Sequence, residues 1–516
     1  MKSEVSMYPA QHAASSPDRL AVVMAGSGES RSYRELDDNS ARLAGWLRDA
    51  GVGAGEVVLV CLENDVRWGE IVWSCLRSER WLAPVNWHLT ASELVPLFED
   101  AAPAAVVTSS ALLPRAAEAA RRAGRDPVWL VVGGPGAEAD SAGLPAVADY
   151  DAALSAARPQ DAADDVAGSR LLFSSGTTGR PKPFRQPLPG VRPADLPVRL
   201  GPLLSRLRFD VGAPESLVYL STGPAYHAAP FAFLQTVHQL GGTVVLMERF
   251  DPRSALAAIE RHRVSHSQWV PTMFVRLLRL PDAERREFDL SSHQVAVHAG
   301  APCPPEVKRA MLDWWGPVLY EYYGASEGHG HTTIGPAEWL AHPGSVGTPV
   351  SGRIEIRAED GTVLPAGETG RVWFVRETAE GTVGDLGHLD ADGFLYLTGR
   401  VGHTIITGGV NVYPREVEDV LALHPAVADL AVLGVPDPEF GEQVKAVVEP
   451  RDPASAGPGL ERELIEYCRA RLAHFKCPRS VDFTERLPRN DAGKVVVAAL
   501  RDKYWPAAGA SERTTR

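Results

Sequence analysis

Apolar residues recur along this chain at two different spacings, and the alternation between them predicts a layered α/β architecture. Leu36, Leu43, Trp46 and Leu47 recur at helical spacing. After a Gly turn, the run GEVVLVCL reads as a buried strand. The apolar runs AAVVTS, VWLVVG and RLLFSS follow as further strands, each separated by helix-like stretches. Seven prolines between Pro181 and Pro202 predict a loop there and rule out a continuous helix.

The pattern shifts near residue 400. The strand pattern FLYLTGR ends there, and a compact unit of about 110 residues follows, enough for a small domain. In that unit Val417, Val420 and Leu421 mark a helix, and Val427 to Leu433 mark a strand. The turn PDPEFGE leads to a strand at Val444–Val448, and Leu460, Leu464, Cys468 and Leu472 mark a second helix. The expected organisation is a mixed α/β fold. A large multi-layer N-terminal domain covers residues 1–399, a hinge 400–402, and a small mobile α+β domain 403–516.

Composition narrows the classes. The 516 residues are 45% hydrophobic and 23% charged, which excludes wholesale disorder and fibrous repeats. A net charge of −13 argues against a nucleic-acid binder, which needs a concentrated basic face. No apolar run approaches the roughly 18 residues of a membrane span. The N-terminal MKSEVSMYPAQ lacks the apolar core of a secretory signal, and ASERTTR at the other end carries no lipidation Cys. The expectation is a cytoplasmic enzyme. Cys61, Cys75, Cys303, Cys468 and Cys477 form no CxxC pair, so core thiols in a reducing compartment are expected.

The candidate chemistry begins at Ser174-Ser175-Gly176-Thr177-Thr178-Gly179-Arg180-Pro181-Lys182, with two glycines, four hydroxyls and two cations in nine residues. Such a segment can offer backbone N–H groups, hydroxyls and positive charge to a polyphosphate. Its GxxGxxK spacing is not that of a Walker A loop, and alone it would pass for a solvated turn. The GxGxx[GA] match at Gly134–Ala139 has Pro135 inside it and Pro145 close by, which makes it a surface turn. His329 and His331 flank Gly330, but without a third ligand at workable spacing they are expected to line a loop.

Eight further segments follow in order: Pro224–His227, His298–Pro302, Glu321–Glu327, Val383–Asp385, Thr398–Arg400, Gly408-Gly409, Tyr413–Glu418 and Pro488–Lys494. Together with the Ser174–Lys182 loop they resemble the adenylate-forming superfamily of acyl-CoA synthetases, luciferases and nonribosomal-peptide adenylation domains. The resemblance runs from residue 32 to Lys494 and is nearest to actinobacterial acyl-CoA ligases of the fatty-acid and steroid type. It implies that ATP activates a carboxylate as an acyl-adenylate, a mixed anhydride with a good leaving group.

The resemblance implies roles residue by residue. Ser174, Ser175, Gly176, Thr177, Thr178, Gly179 and Lys182 hold the ATP phosphates, and Gly300, Ala301, Pro302 and Tyr322 belong to the nucleotide-binding motifs. Tyr323 stacks on adenine, Glu321 lies near its exocyclic amine, and Ser326 contacts the α-phosphate. Glu327 is a hard oxygen ligand for Mg2+. Asp385 accepts both ribose hydroxyls, and Arg400 approaches ribose or phosphate. Lys494 bridges carboxylate and α-phosphate oxygens as charge develops. Tyr226, His227, Phe231, His298, Ala299 and Gly324 wall a roomy apolar acyl pocket, with His227 near the carboxylate. After adenylation the C-terminal domain rotates about Gly402, withdrawing Lys494 and presenting Gly408 and Gly409 to the pantetheine arm of CoA. Phe440 and Phe475 are placed to stack on the CoA adenine, and Lys476 to meet a CoA phosphate.

The chain departs from the family pattern at three places. Pro183 stands where Gly usually follows the loop Lys, Gly402 where Asp or Lys is usual, and Val496-Val497 where basic residues are common. The resulting expectation is an ATP-, Mg2+- and CoA-dependent ligase for a bulky hydrophobic carboxylic acid, with a homodimer allowed. Its rivals are an enzyme mainly thioesterifying a supplied acyl-adenylate, a ligase loading a carrier protein, and a nucleotide-binding scaffold.

Overall fold

Strand Val57–Cys61 is buried at every residue, because a parallel strand covered on both faces cannot alternate apolar with polar. It sits at the centre of a seven-stranded sheet in the computed structural model. The structure describes residues 8–134, 144, 147–174, 182–198, 200–209, 213–324, 328–377, 379–401, 404–407, 410–437, 440–489 and 494–504. Two compact units are defined: residues 1–269 with 279–297, and residues 270–278 with 298–516. The expected hinge at 400–402 lies within the second unit and stands as a proposal.

In the first unit, the seven-stranded sheet runs in the order Val147–Asp149, Val128–Val132, Ala105–Ser109, Val57–Cys61, Trp81–Pro84, Ser169–Ser174, Lys182–Arg185. All neighbours are parallel except the last pair. Helix Tyr33–Asp49 buries Leu36, Leu43 and Leu47. Its start is fixed reciprocally: Glu35 N–H donates to Ser32 Oγ (3.3 Å), and Ser32 N–H to Glu35 Oε2 (2.7 Å). A second sheet orders His266–Trp269, Val218–Ser221, Thr243–Leu246, Leu20–Met24 and Ser30–Ser32, parallel up to the last pair.

The proline-rich segment departs from expectation. It is not all loop, because Lys182–Arg185 forms a strand antiparallel to Ser169–Ser174. The strand lies at the sheet edge, where Pro183's missing N–H costs no ladder bond to an outer neighbour. A helix, Gly201–Arg206, begins with Pro202 in its first turn, a position at which proline is tolerated.

In the second unit, Leu319–Gly324, His331–Ile334 and Thr348–Pro349 are consecutive antiparallel neighbours. The next sheet orders Arg353–Arg357, Gly370–Arg376, Asp385–Leu389 and Leu395–Arg400, with Ala379–Gly381 beside Gly370–Arg376. The last sheet orders Val410–Val412, Ile405–Thr407, Gly441–Pro450 and Val427–Asp437, with Ser480–Phe483 beside Gly441–Pro450. One of its faces packs Val417, Leu421, Leu464 and Cys468, and the other packs Leu487 and Leu500. The PDPEFGE turn is tighter than expected, since pairing continues through Pro436–Glu442 and Asp437–Gly441. The helix marked by Leu460 ends at Arg469, and Leu472 joins the same core from the following turn. All five cysteines are buried and free. Among the described residues no helix is long and apolar enough to cross a membrane.

Candidate active site

In the first unit the phosphate loop is anchored at both ends, because Ser174 pairs with Lys182 and Phe173 with Pro183 across adjacent strands. Ser175, Gly176, Thr177, Thr178 and Gly179 lie outside the described residues. Strand Val218–Ser221 leads into the segment bearing Tyr226 and His227. Asn64 holds that segment by accepting from Ala225 N–H (2.7 Å) and donating to Gly223 O (3.2 Å) and Met247 O (2.7 Å). His227 precedes helix Ala228–Leu240 in an extended conformation and makes no side-chain cap bond, and its ring lies 4.4 Å from that of Tyr226. Phe231, one turn on, is 1% exposed and belongs to the interior of this unit.

The second unit brings three motif segments together. Tyr323 donates its hydroxyl proton to Asp385 Oδ2 at 2.6 Å, across 62 residues of sequence. The Tyr323 ring stacks on Phe374 at 5.9 Å. Asp385 lies opposite Arg400 in the ladder, and Val401 N–H donates to Gly384 O (2.8 Å). The Asp385 carboxylate thus accepts from the Tyr323 phenol, and a carboxylate is an acceptor-only group, the type that ribose hydroxyls require. Tyr322 faces away from this group, its ring 6.1 Å from His331. Gly300 has φ +87°, a backbone conformation that a side chain would strain. It turns the chain from buried His298 and Ala299 to Ala301 and exposed Pro302.

Glu321 is buried, and its Oε2 accepts from Lys308 Nζ at 2.7 Å. Burial pushes its carboxyl pKa up. The charge and hydrogen bond of Lys308 are the main opposing effects, and with smaller contributions from His298 and Arg415 the carboxyl is held below the ordinary value. His298 Nε2 lies 3.5 Å from the same oxygen. Burial drives the imidazole down to about 3, so it is neutral. At Gly324 a Cβ would stand 2.4 Å from the His331 ring, so a larger residue would force that ring to shift. The smallness of Gly324 serves close packing. Ser326 and Glu327 lie outside the described residues.

The residues expected to meet CoA are spread over the last sheet. The Arg479 guanidinium covers the Phe440 ring at 3.9 Å. Phe475 is 48% exposed, and Lys476 is bonded to Glu416. Thr407 pairs with Val410 around Gly408 and Gly409, which lie outside the described residues with Gly402. Lys494 is exposed beside a bridge between Arg489 and Val495, and Arg489 Nε donates to Asp429 Oδ2 (2.6 Å).

His329 and His331 go to packing, His329 against Gly381 and His331 against Gly324. Among the described residues His342, Asp390 and Asp392 could converge on an ion. However, Asp390 already accepts from Asp392 N–H (3.0 Å) and Phe394 N–H (2.8 Å), which makes it a turn former. Motif reading missed Lys308 and Arg479. Lys308 had a signal: a charge in line with Met311 and Leu312 on the buried face of helix Pro305–Trp315.

Comparison with known proteins shows the class to which a chain carrying these groups belongs. The AMP-binding enzyme family model matches residues 9–379, and the model of its C-terminal domain matches 416–494. The chain is 34% identical to the 3-[(3aS,4S,7aS)-7a-methyl-1,5-dioxo-octahydro-1H-inden-4-yl]propanoyl:CoA ligase of Mycobacterium tuberculosis, over 94% of this chain and 96% of the relative. It is 31% identical to a feruloyl-CoA synthase of an Amycolatopsis species, over 96% of this chain and 98% of the relative. The fold is similar to that of the o-succinylbenzoate CoA synthetase of Bacillus subtilis solved with its acyl-adenylate intermediate. The TM-score is 0.77 at 26% identity, covering 96% of this chain and 98% of the other. The chain belongs to the AMP-binding enzyme family. It is an AMP-forming acyl-CoA synthetase.

Proposed function

We propose that this synthetase acts on a bulky, ring-bearing hydrophobic acid, first joining it to AMP and then transferring the acyl group to the thiol of CoA. The observation that supports the nucleotide half is the Tyr323–Asp385 bond, which brings two motifs distant in sequence together. The ring-bearing acids named for the two relatives support the substrate class.

In the first step a carboxylate oxygen attacks the α-phosphorus and pyrophosphate leaves. The Ser174–Lys182 loop holds the leaving phosphates, Asp385 and Arg400 hold the ribose side, and Lys494 stabilises charge on the attacking and α-phosphate oxygens. Glu327 is the proposed Mg2+ ligand; it lies outside the described residues, and the step is derived without it. In the second step the CoA thiolate attacks the acyl carbonyl and AMP leaves. Tyr226, His227 and Ala299 are the proposed acyl contacts, and Phe440, Phe475 and Lys476 the proposed CoA contacts.

A panel of acids tests the substrate class. Burial contributes roughly 0.8 kcal/mol per methylene, so a ring-bearing acid should exceed acetate in kcat/KM by at least about 10²-fold. Equal values for the two would contradict the assignment. Presenting CoA and a phosphopantetheinylated carrier protein side by side decides the acceptor, with CoA expected to react faster.

The proposed domain boundary puts the pivot at Gly402. Proline there would fix φ near −65° and restrict Val401 before it. Gly402→Pro should keep one half-reaction and lose most of the other, with the melting temperature nearly unchanged. ATP–pyrophosphate exchange reads the first step, and capture of supplied acyl-AMP by CoA reads the second. Retention of both at wild-type rates would move the hinge elsewhere.

A further inference from the structure

Lys308 is 0% exposed and lies outside every nucleotide motif. Its ammonium has two partners of different kinds: Glu321 Oε2 at 2.7 Å and the face of the Trp339 ring at 5.0 Å. His298, also 0% exposed, approaches the same Oε2 at 3.5 Å, and neither of its ring nitrogens makes a hydrogen bond with a described residue. Among the described residues, buried Cys303 and, from helix Pro414–Leu421, Arg415 also act on this group, with Asp419 of the same helix acting on Cys303. Both close contacts of Glu321 therefore fall on one oxygen. Oε1 is left as the oxygen able to take a further donor, and the carboxylate cannot rotate without breaking the Lys308 bond.

We propose that Lys308 is a positioning residue for purine selection: it keeps Glu321 ionised and aimed, so that Glu321 Oε1 accepts from an exocyclic amine and repels a carbonyl oxygen at the same ring position. The proposal rests on the placement of the nucleotide base beside Glu321. A neutral hydrogen-bonding residue would accept or donate as the base required. A clamped carboxylate can only accept. Removing the ammonium leaves a carboxyl in a buried setting, where it takes up a proton and can then donate to a carbonyl.

The test measures dissociation constants for AMP and IMP by calorimetry on the full chain, with thermal melts to confirm folding. Wild type should prefer AMP by at least about tenfold. Lys308→Met should bring the ratio close to one, mainly through weaker AMP binding. Glu321→Gln, which keeps the shape and can donate through its amide, should do the same and covers the case in which the Met variant does not fold. The double variant should show no further loss beyond Glu321→Gln alone, because Lys308 acts through that carboxylate. A folded Lys308→Met or Glu321→Gln protein with the wild-type ratio overturns the proposal, as does an additive double variant. Should Asp385→Ala still weaken AMP binding in that case, the nucleotide site stands and only the role of Lys308 falls. Failure of wild type to bind either nucleotide would remove both.

Discussion

Replacing Lys494 with alanine is expected to slow acyl-adenylate formation by on the order of 10²–10³-fold while leaving thioester formation from supplied acyl-AMP nearly intact. Adenylation develops negative charge on oxygens that a preorganised ammonium can stabilise, whereas thiol attack on the finished adenylate does not need that cation. Lys494 is exposed, next to a bridge between Arg489 and Val495, and Val496 N–H donates to Pro488 O (2.7 Å). Truncating an exposed side chain should change folding stability by no more than about 0.5 kcal/mol, which a thermal melt checks. Pyrophosphate release and thioester yield are to be measured separately. Equal losses in both would reassign Lys494 to a role common to the two steps.

Asp385→Ala should weaken AMP binding by on the order of 10²-fold, since hydrogen bonds to a charged group contribute about 1.5–3 kcal/mol each. Two effects combine: the ribose loses its acceptor, and Tyr323 loses the partner that fixes its ring at 2.6 Å hydroxyl distance. Tyr323→Phe separates them. It removes only the phenol bond while keeping the ring against Phe374, so its cost should be about tenfold or less. Calorimetry with AMP on both variants measures the difference. Equal effects would mean that Asp385 acts chiefly as an anchor for the tyrosine rather than as a ribose acceptor.

How much of this was legible beforehand follows from the range of each interaction. Helix Tyr33–Asp49 and strand Val57–Cys61 were readable because burial on one stripe, or on both faces, is written directly into the order of apolar residues. Strand Lys182–Arg185 was hidden, because proline signals a loop unless one knows that the strand will sit at an edge. At Gly324 the missing side chain is visible in sequence, but only the fold shows that the His331 ring stands where a Cβ would lie.

The order of the motifs gave the chemical class through its resemblance to a known family, since residue type decides what a group can accept or donate but each motif alone is compatible with a solvated surface. Which groups meet was decided by the tertiary structure. Lys308 and Glu321 each appear as a charge at an inward position, one on a helix face and one in a strand where Leu319 is also buried. Only folding shows that the two face each other at 2.7 Å. The Tyr323–Asp385 bond depends in the same way on how the two strands lie, and a contact between residues 62 positions apart leaves no periodic trace in the chain that makes it.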